Sequence, residues 1–350
     1  MVQNNETKFT AEELQSFSEE LKLEVFKNSD FLNKIVSLTK ADNIQNDNAN
    51  VDEKSFSGRK LRASGELHKF IALNSMISQR FVDSFNKNEI YFHDLDSYDV
   101  GQHNCTFIDL KDLLNRGFQT RNGDVRKPTT ITTAYQLVAV LFQVQSQVQF
   151  GGVGSAAFDY ELSEYVAKSF IKQFNKETKI YNRKASQPVT FDDKYKTIAK
   201  SYVNELSDDL REIYDEIYAY AMESLEEEIA QATEGLIHNL NTLESRGGCQ
   251  LPFTSINLGL ETTEEGRLIT KHLFQGLMNG IGKYGKTSIF PIAIFRHKKG
   301  VNAYPSDPNY DLKQLAIKCL SKRIYPNYVN CDVKYFENDG TPQGDMATMG

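Results

Sequence analysis

Basic residues are not in excess: 40 Lys and Arg stand against 47 Asp and Glu, a formal net charge of -7. A surface of that sign cannot hold a nucleic-acid backbone by charge, so direct nucleic-acid binding is not expected. Long apolar runs are missing too. The longest, Ser288 to Phe295, is far too short to cross a bilayer, and the start, "MVQNNETKF", has no basic segment leading into an apolar one. A cytoplasmic protein with no membrane partner is the expectation. Cysteine is scarce: four residues, at positions 105, 249, 319 and 331, with no C-x-x-C pair and no closely spaced Cys/His ligands. Neither a disulfide framework nor a metal site is encoded in that pattern, and a buried small hydrophobe is the ordinary role of each thiol.

What is present is an alternation of helical and strand-like patterns. Thr10 to Lys40 reads as one or two helices, opened by Thr10 with Glu13 three residues on. Lys40 to Gly58 is polar and reads as a linker or arm, so the chain divides into residues 1–58, a helical segment with its linker, and a larger domain over 59–350. From Gly65 to Phe85 a helical period returns, with Leu67, Ile71, Leu73, Met76, Ile77 and Phe81 as its core-facing stripe. "EIYFHDL" (Glu89 to Leu95) and "HNCTFIDL" (His103 to Leu110) read as short strands.

After Pro128, "TTITTAYQLVAVLFQVQSQVQF" is capped by Thr and apolar nearly all round, which predicts a helix buried on most faces. Ser201 to about Leu243 is a long helix with Val203, Leu206, Leu210, Ile213 and Ile217 on one face. The acidic run at 226–228 is expected to be a solvated surface. Gln250 to Gly259 and Ser288 to Phe295 are too continuously apolar for a sheet with one wet face, and Tyr310 to Arg323 is helical. Buried strands alternating with helices indicate an α/β fold.

Three features invite a chemical reading. His93, with Asp94 and Asp96, makes a polar cluster at a strand end; a core histidine bonded to a neighbour is the plain alternative. "FGGVGSAAFDY" (Phe150 to Tyr160) fits neither G-x-G-x-x-G after a strand nor a P-loop, and a helix C-cap followed by a turn explains its glycines. Gln136, Gln143 and Gln147 share one helical face, suited either to ligand contacts or to a helix–helix interface.

Five runs occur here in one order: "NANVDEKSF" (Asn48 to Phe56), "IYFHDLDSYDVGQHNCTFIDL" (Ile90 to Leu110), "EGLIHNLNTLESRGGCQLPFTSINLG" (Glu234 to Gly259), "DPNYDLKQLAIKCLSKRIYPN" (Asp307 to Asn327) and the terminal "TMG". Together they resemble the catalytic subunit of anaerobic (class III) ribonucleoside-triphosphate reductases, which are glycyl-radical enzymes, over roughly residues 48 to 350. General glycyl-radical lyases lack the "HNC" and "NANVDE" runs. The resemblance implies the N-terminal half of a ten-stranded α/β barrel with surrounding helices. It also implies reduction of ribonucleoside triphosphates to 2′-deoxyribonucleoside triphosphates for DNA synthesis.

In the family, "MG" is followed by a cysteine on a loop entering the barrel, and that cysteine carries the thiyl radical. By this alignment the chain stops one residue short of it. The zinc-binding cysteines and the radical-storing glycine would lie in a further C-terminal part, the glycyl radical being installed by an iron–sulfur, S-adenosylmethionine-dependent activase. In the implied mechanism the radical abstracts the 3′ hydrogen, the 2′ hydroxyl leaves as water, and a thiol on the opposite face then reduces the substrate radical. Cys105 matches that thiol and Asn104 its neighbour. His93 and Asp94 match the substrate segment, and Met349 and Gly350 belong to the radical loop, expected here to be disordered or misplaced.

The helix carrying Gln136, Gln143 and Gln147 matches the one near the dimer interface and the site for dNTP or ATP effectors. Formate is the expected reductant, a dithiol protein the other option, and a homodimer the expected assembly. Too few residues precede Asn48 for an ATP-cone domain with its own core, so either that switch is absent, which is the expectation, or the start is incomplete. The isolated chain is expected to be inactive and, with an open strand edge, sticky. The alternative is a catalytically silent nucleotide-binding and dimerising fragment, or half of a split gene.

Overall fold

The computed structural model describes residues 55–100, 104–247, 250–333 and 340–349, together with Asn33. The helices expected over Thr10 to Lys40, most of the polar arm, Cys249 and Gly350 lie outside the described residues. The chain divides into two compact units, one of residues 1–102 with 247–250, the other of 103–246 with 251–350.

In the first unit, helix α1 (Phe56–Ile71) starts inside the span read as linker, because Ser55 caps it by accepting a hydrogen bond from the Gly58 N–H at 2.9 Å. It runs into a π-helical turn (Ala72–Met76), then α2 (Gln79–Asn86) and a 3-10 turn (Leu95–Ser97). The helical reading of 65–85 holds, but its stripe does not stay on one buried face. Leu67, Met76 and Phe81 are exposed, whereas Ala72, Val82 and Leu95 are buried. The π turn and the extended backbone at Ile77 reset the helical phase, so a constant 100° period fails across them. No strand forms over Glu89 to Leu95 either: Asn88 and Asp94 hold φ of 59° and 55°, left-handed values that break an extended run.

The second unit is built on five parallel strands: β1 (Thr106–Phe107), β4 (Val153–Ser155), β5 (Thr254–Leu258), β6 (Ile292–His297) and β7 (Asn327–Asn330), ordered β1-β4-β5-β6-β7. Between β1 and β4 lie α3 (Leu110–Arg116), a small hairpin of β2 (Phe118–Thr120) and β3 (Gly123–Val125), and α4 (Ile131–Ser146). Helices α5 (Phe158–Asn182) and α6 (Asp208–Thr242) connect β4 to β5, α7 (Glu264–Asn279) connects β5 to β6, and α8 (Tyr310–Lys322) connects β6 to β7. Such crossovers are what parallel strands require.

The expected strands at 254–258 and 292–297 and the helices α4, α6 and α8 are all present. Thr130 caps α4 as expected, through a 3.3 Å bond from the Thr133 N–H. The glycine-rich stretch read as a turn instead contains β4, a central strand. Two residues on the long-helix stripe, Val203 and Leu206, precede α6, and Leu210 is exposed; Tyr214, Ile217, Ala221 and Leu225 face inward.

Strand register sorts the side chains into two faces. Val153, Ile256, Leu258, Ala293 and Phe295 share one; all are fully buried, and the Phe295 ring packs tilted against Phe274 of α7, with centroids 6.0 Å apart. Removing each of the larger ones, Val153, Ile256, Leu258 and Phe295, from water contributes about 1.5–3 kcal/mol, which ties helices to sheet. The opposite face carries Phe107, Gly154, Ser255, Asn257, Ile294 and Arg296, small or polar at most positions. Edge strands β1 and β7 leave Phe107 and Tyr328 each 41% exposed, as expected for an open sheet.

Candidate functional site

Glycines in and just before β4 gave that segment the look of a turn, but they are there for close approach. A Cβ on Gly151 would lie 2.4 Å from the Cys105 N, and one on Gly154 would lie 2.6 Å from the Ser255 O and 3.0 Å from the Met349 Sδ. No larger residue fits. The gap they leave is used twice. Cys105, one residue ahead of β1 and exposed, accepts from the Gly152 N–H at 3.3 Å and donates to Asn104 Oδ1 at 3.6 Å. Met349 meets the same strand two residues further on. So Met349, expected to be misplaced, has a defined seat.

Gln149 fastens β1 to this glycine run. Buried, it accepts from Thr106 Oγ1 at 2.8 Å and Gln145 Nε2 at 2.7 Å, and its own amide donates to the Gly152 carbonyl at 2.6 Å. Arg246 closes the turn from outside, donating to the Gln149 and Phe150 carbonyls at 2.6 and 2.7 Å.

Residues 340–349 cross the polar face of the sheet. Asn257 on β5 donates to the Thr348 carbonyl at 3.0 Å and accepts from the Thr348 N–H at 3.1 Å. Lys298 binds Asp345 at 2.7 Å, Cys331 Sγ donates to the Met346 carbonyl at 3.4 Å, and Gln343 donates to Glu161 at 3.2 Å. Arg296, wholly buried, donates to the Pro342 carbonyl.

Under this crossing lies a buried charge cluster that sequence reasoning overlooked. Asp159 and Glu161 sit in the first turn of α5, where acidic side chains suit the helix dipole. Asp159 accepts from the Gly259 N–H at 2.7 Å and the Glu261 N–H at 3.3 Å, holding the loop after β5. Burial raises its pKa, an effect that Arg296 and those two backbone donors oppose. Burial likewise pushes Glu161 up to about 7, against the opposing hydrogen bond from Ser155. Burial lowers Arg296, against the attraction of Asp159. The available signal was an arginine within β6, directly after the apolar run that ends at Phe295.

The remaining expected residues are distributed elsewhere. His93 and Asp94 pair with each other in the first unit, with the His93 side chain 83% exposed and in a turn, not at a strand end. Gln136 lines a groove of about 750 Å³ with Thr132, Lys172, Gln173, Lys176 and Glu228. Gln143 and Gln147 are not in its wall; Gln143 is half-buried and Gln147 caps the C-terminus of α4. The acidic run at 226–228 is not merely a solvated surface. Glu228 accepts from Thr132, Ser169 and Gln173 at 3.0, 3.1 and 3.0 Å, and Glu226 pairs with Lys271 at 2.7 Å.

Cys319 is buried in α8, as its ordinary role required, and Cys331 is half-buried; burial pushes both thiols up to about 11. Among the described residues no group of three His, Cys, Asp or Glu side chains could hold a metal ion, and no helix is long and apolar enough to cross a membrane.

This arrangement of parallel strands is shared with solved structures of the anaerobic ribonucleotide reductase from Thermotoga maritima. The one in complex with dATP and CTP superposes with a TM-score of 0.53 at 14% identity, covering 95% of this chain and 51% of that one. The one with citrate in the active site gives 0.54 at 15% identity, covering 95% and 56%. The fold is therefore that of these ten-stranded α/β barrels, of which the chain holds the N-terminal half.

A family model described as anaerobic ribonucleoside-triphosphate reductase matches residues 47–350. The enzyme of that name from Escherichia coli is 33% identical over 309 residues, 87% of this chain and 39% of the relative; that from Haemophilus influenzae is 31% identical over 330 residues, 93% and 42%. The chain belongs to the anaerobic ribonucleoside-triphosphate reductase family, and spans about two fifths of the length of these relatives.

Proposed function

We propose that this chain is the N-terminal half of the catalytic machinery that reduces ribonucleoside triphosphates to 2′-deoxyribonucleoside triphosphates by radical chemistry in the cytoplasm. One observation carries the reading: the exposed Cys105 thiol and the 340–349 segment converge on the glycine run of β4. Glycyl-radical chemistry, supplied by the part of the relatives beyond this span and started by an activase, would deliver a cysteine radical to the substrate. The residues present do the rest. Cys105 offers an S–H whose hydrogen can be given to a substrate radical, Asn104 orients that thiol, and Met349 ends the segment that brings the radical residue in. Formate is the candidate reductant.

A nucleotide effector would occupy the groove beside Gln136. The N-terminus of α4, with Thr130, Thr132 and Thr133, opens there beside Lys172 and Lys176, a combination suited to phosphate. That groove also favours the second reading, a nucleotide-binding and dimerising fragment without turnover of its own.

Alkylation of Cys105 tests the main reading. A ribonucleoside triphosphate bound over the thiol should slow its reaction with iodoacetamide several-fold, inorganic triphosphate should not, and buried Cys319 serves as the internal control. An unchanged rate at millimolar nucleotide would remove the assignment of this face to the substrate.

A further inference from the structure

Residues 346–349 make no backbone hydrogen bond to another described backbone group, so side chains from the sheet must set where this segment stops. They do so at close intervals. Arg296 takes the carbonyl of Pro342, Glu161 the amide of Gln343, Lys298 the carboxylate of Asp345, Cys331 the carbonyl of Met346, and Asn257 both backbone groups of Thr348.

We propose that Asn257, Arg296 and Glu161 are positioning residues that hold the 340–349 segment in a single register on the sheet, stopping Met349 at Gly154 of β4. The proposal rests on the reading of this face as the reductase site, where a displaced segment would present its next residue to the wrong atom of the ribose.

The physics favours registry over general adhesion. Extended chain advances about 3.3 Å per residue, so a one-residue slip breaks both Asn257 bonds together. Asn257 is wholly buried and also donates to the Ser155 carbonyl at 3.1 Å, which fixes its amide relative to β4 as well as to Thr348. Arg296 is a costly anchor. Its Nε and Nη2 have no hydrogen-bond partner among the described residues, and the acidic groups Asp159, Asp345 and Glu161 supply its compensating field. Asp345 and Gln343 lie on the segment, so withdrawing it strips charge and hydrogen bonds from groups that stay buried. The two anchors bracket the segment, Arg296 and Glu161 at its entry and Asn257 at its tip.

Hydrogen exchange of the whole chain, read by mass spectrometry, tests this. The peptide covering 341–349 reports the segment and one from α5 reports the fold. Asn257→Ala should raise exchange in 341–349 at least tenfold while α5 is unchanged. Asn257→Asp, which keeps the acceptor for the Thr348 N–H but faces its carbonyl with a second oxygen, should fall between. Arg296→Met should release the segment and Arg296→Lys should restore part of its protection.

Unchanged exchange of 341–349 in both Asn257→Ala and Arg296→Met would overturn the proposal. So would equal loss of protection in segment and α5 across all four variants, because the role would then be structural alone. These readouts need no nucleotide. Failure of the Cys105 shielding experiment would remove the reductase reading and leave the exchange result standing.

Discussion

The Met349 Sδ lies 3.0 Å from the point where a side chain on Gly154 would begin. A residue near the C-terminal end of the sequence is thus fitted against a central strand almost two hundred positions earlier, and a methyl group is enough to disturb the fit. Gly154→Ala also meets the Ser255 carbonyl at 2.6 Å, which belongs to backbone and cannot swing away. The substitution should cost about 1–3 kcal/mol in urea unfolding, the range of overpacked cores. An alanine variant as stable as the parent would show that β4 and β5 are looser than described.

Stability should depend on pH through Glu161. Its folded pKa, raised to about 7 by burial, exceeds its ordinary value of 4.5, so its favourable contribution is complete below about pH 4.5 and is lost as pH rises through 7. The difference corresponds to roughly 3 kcal/mol. Asp109 and Asp159 face the same carboxyl and add to the rise, whereas the hydrogen bond from Ser155 and the Arg296 charge oppose it. Glu161→Gln, which keeps the acceptor for Ser155 but carries no charge, should flatten the rise in melting temperature between pH 8 and pH 5.5. A variant with the same pH profile as the parent would move that titration elsewhere.

Asp159 offers a contrast between size and charge. Its buried carboxylate serves the backbone donors of Tyr160, Gly259 and Glu261 and faces Arg296. Asp159→Ala should destabilise by about 3–5 kcal/mol, because it orphans the donors and removes the carboxylate that compensates the buried Arg296 cation most strongly. Asp159→Asn retains an acceptor and should cost less. Equal losses, measured by chemical denaturation, would argue against a role for the charge.

Thiol reactivity should follow burial. At pH 7.5 Cys105, exposed, is expected to be alkylated first, with Cys331 and Cys319 slower because burial pushes both up to about 11. Time-resolved peptide mass spectrometry reads the order directly. Early labelling of Cys319 would mean that α8 detaches from the sheet.

The groove at α4 depends on Glu228. Three donors converge on it from α4 and α5. Glu228→Ala should leave them unpaired, cost about 1–3 kcal/mol, and weaken any nucleotide bound beside Gln136. Calorimetric titration with deoxynucleotides, parent against variant, checks both effects.

Periodicity and capping were local enough to read from the chain. The helix after Thr130, the long acidic helix, the helix at Tyr310 and the apolar strands β5 and β6 are dictated by spacing of side chains within each segment, and the ordered motifs were enough to place the family. What escaped depends on neighbours distant in sequence. Gly154 looks like a turn residue until Ser255 and Met349 crowd it, and Glu228 looks solvated until Thr132, Ser169 and Gln173 close over it. Asn257 and Arg296 are ordinary strand residues until residues 342–348 lie across them. Local pattern fixes which backbone geometry is cheapest, but desolvation and close contact are properties of pairs, and only the folded chain decides which pairs meet.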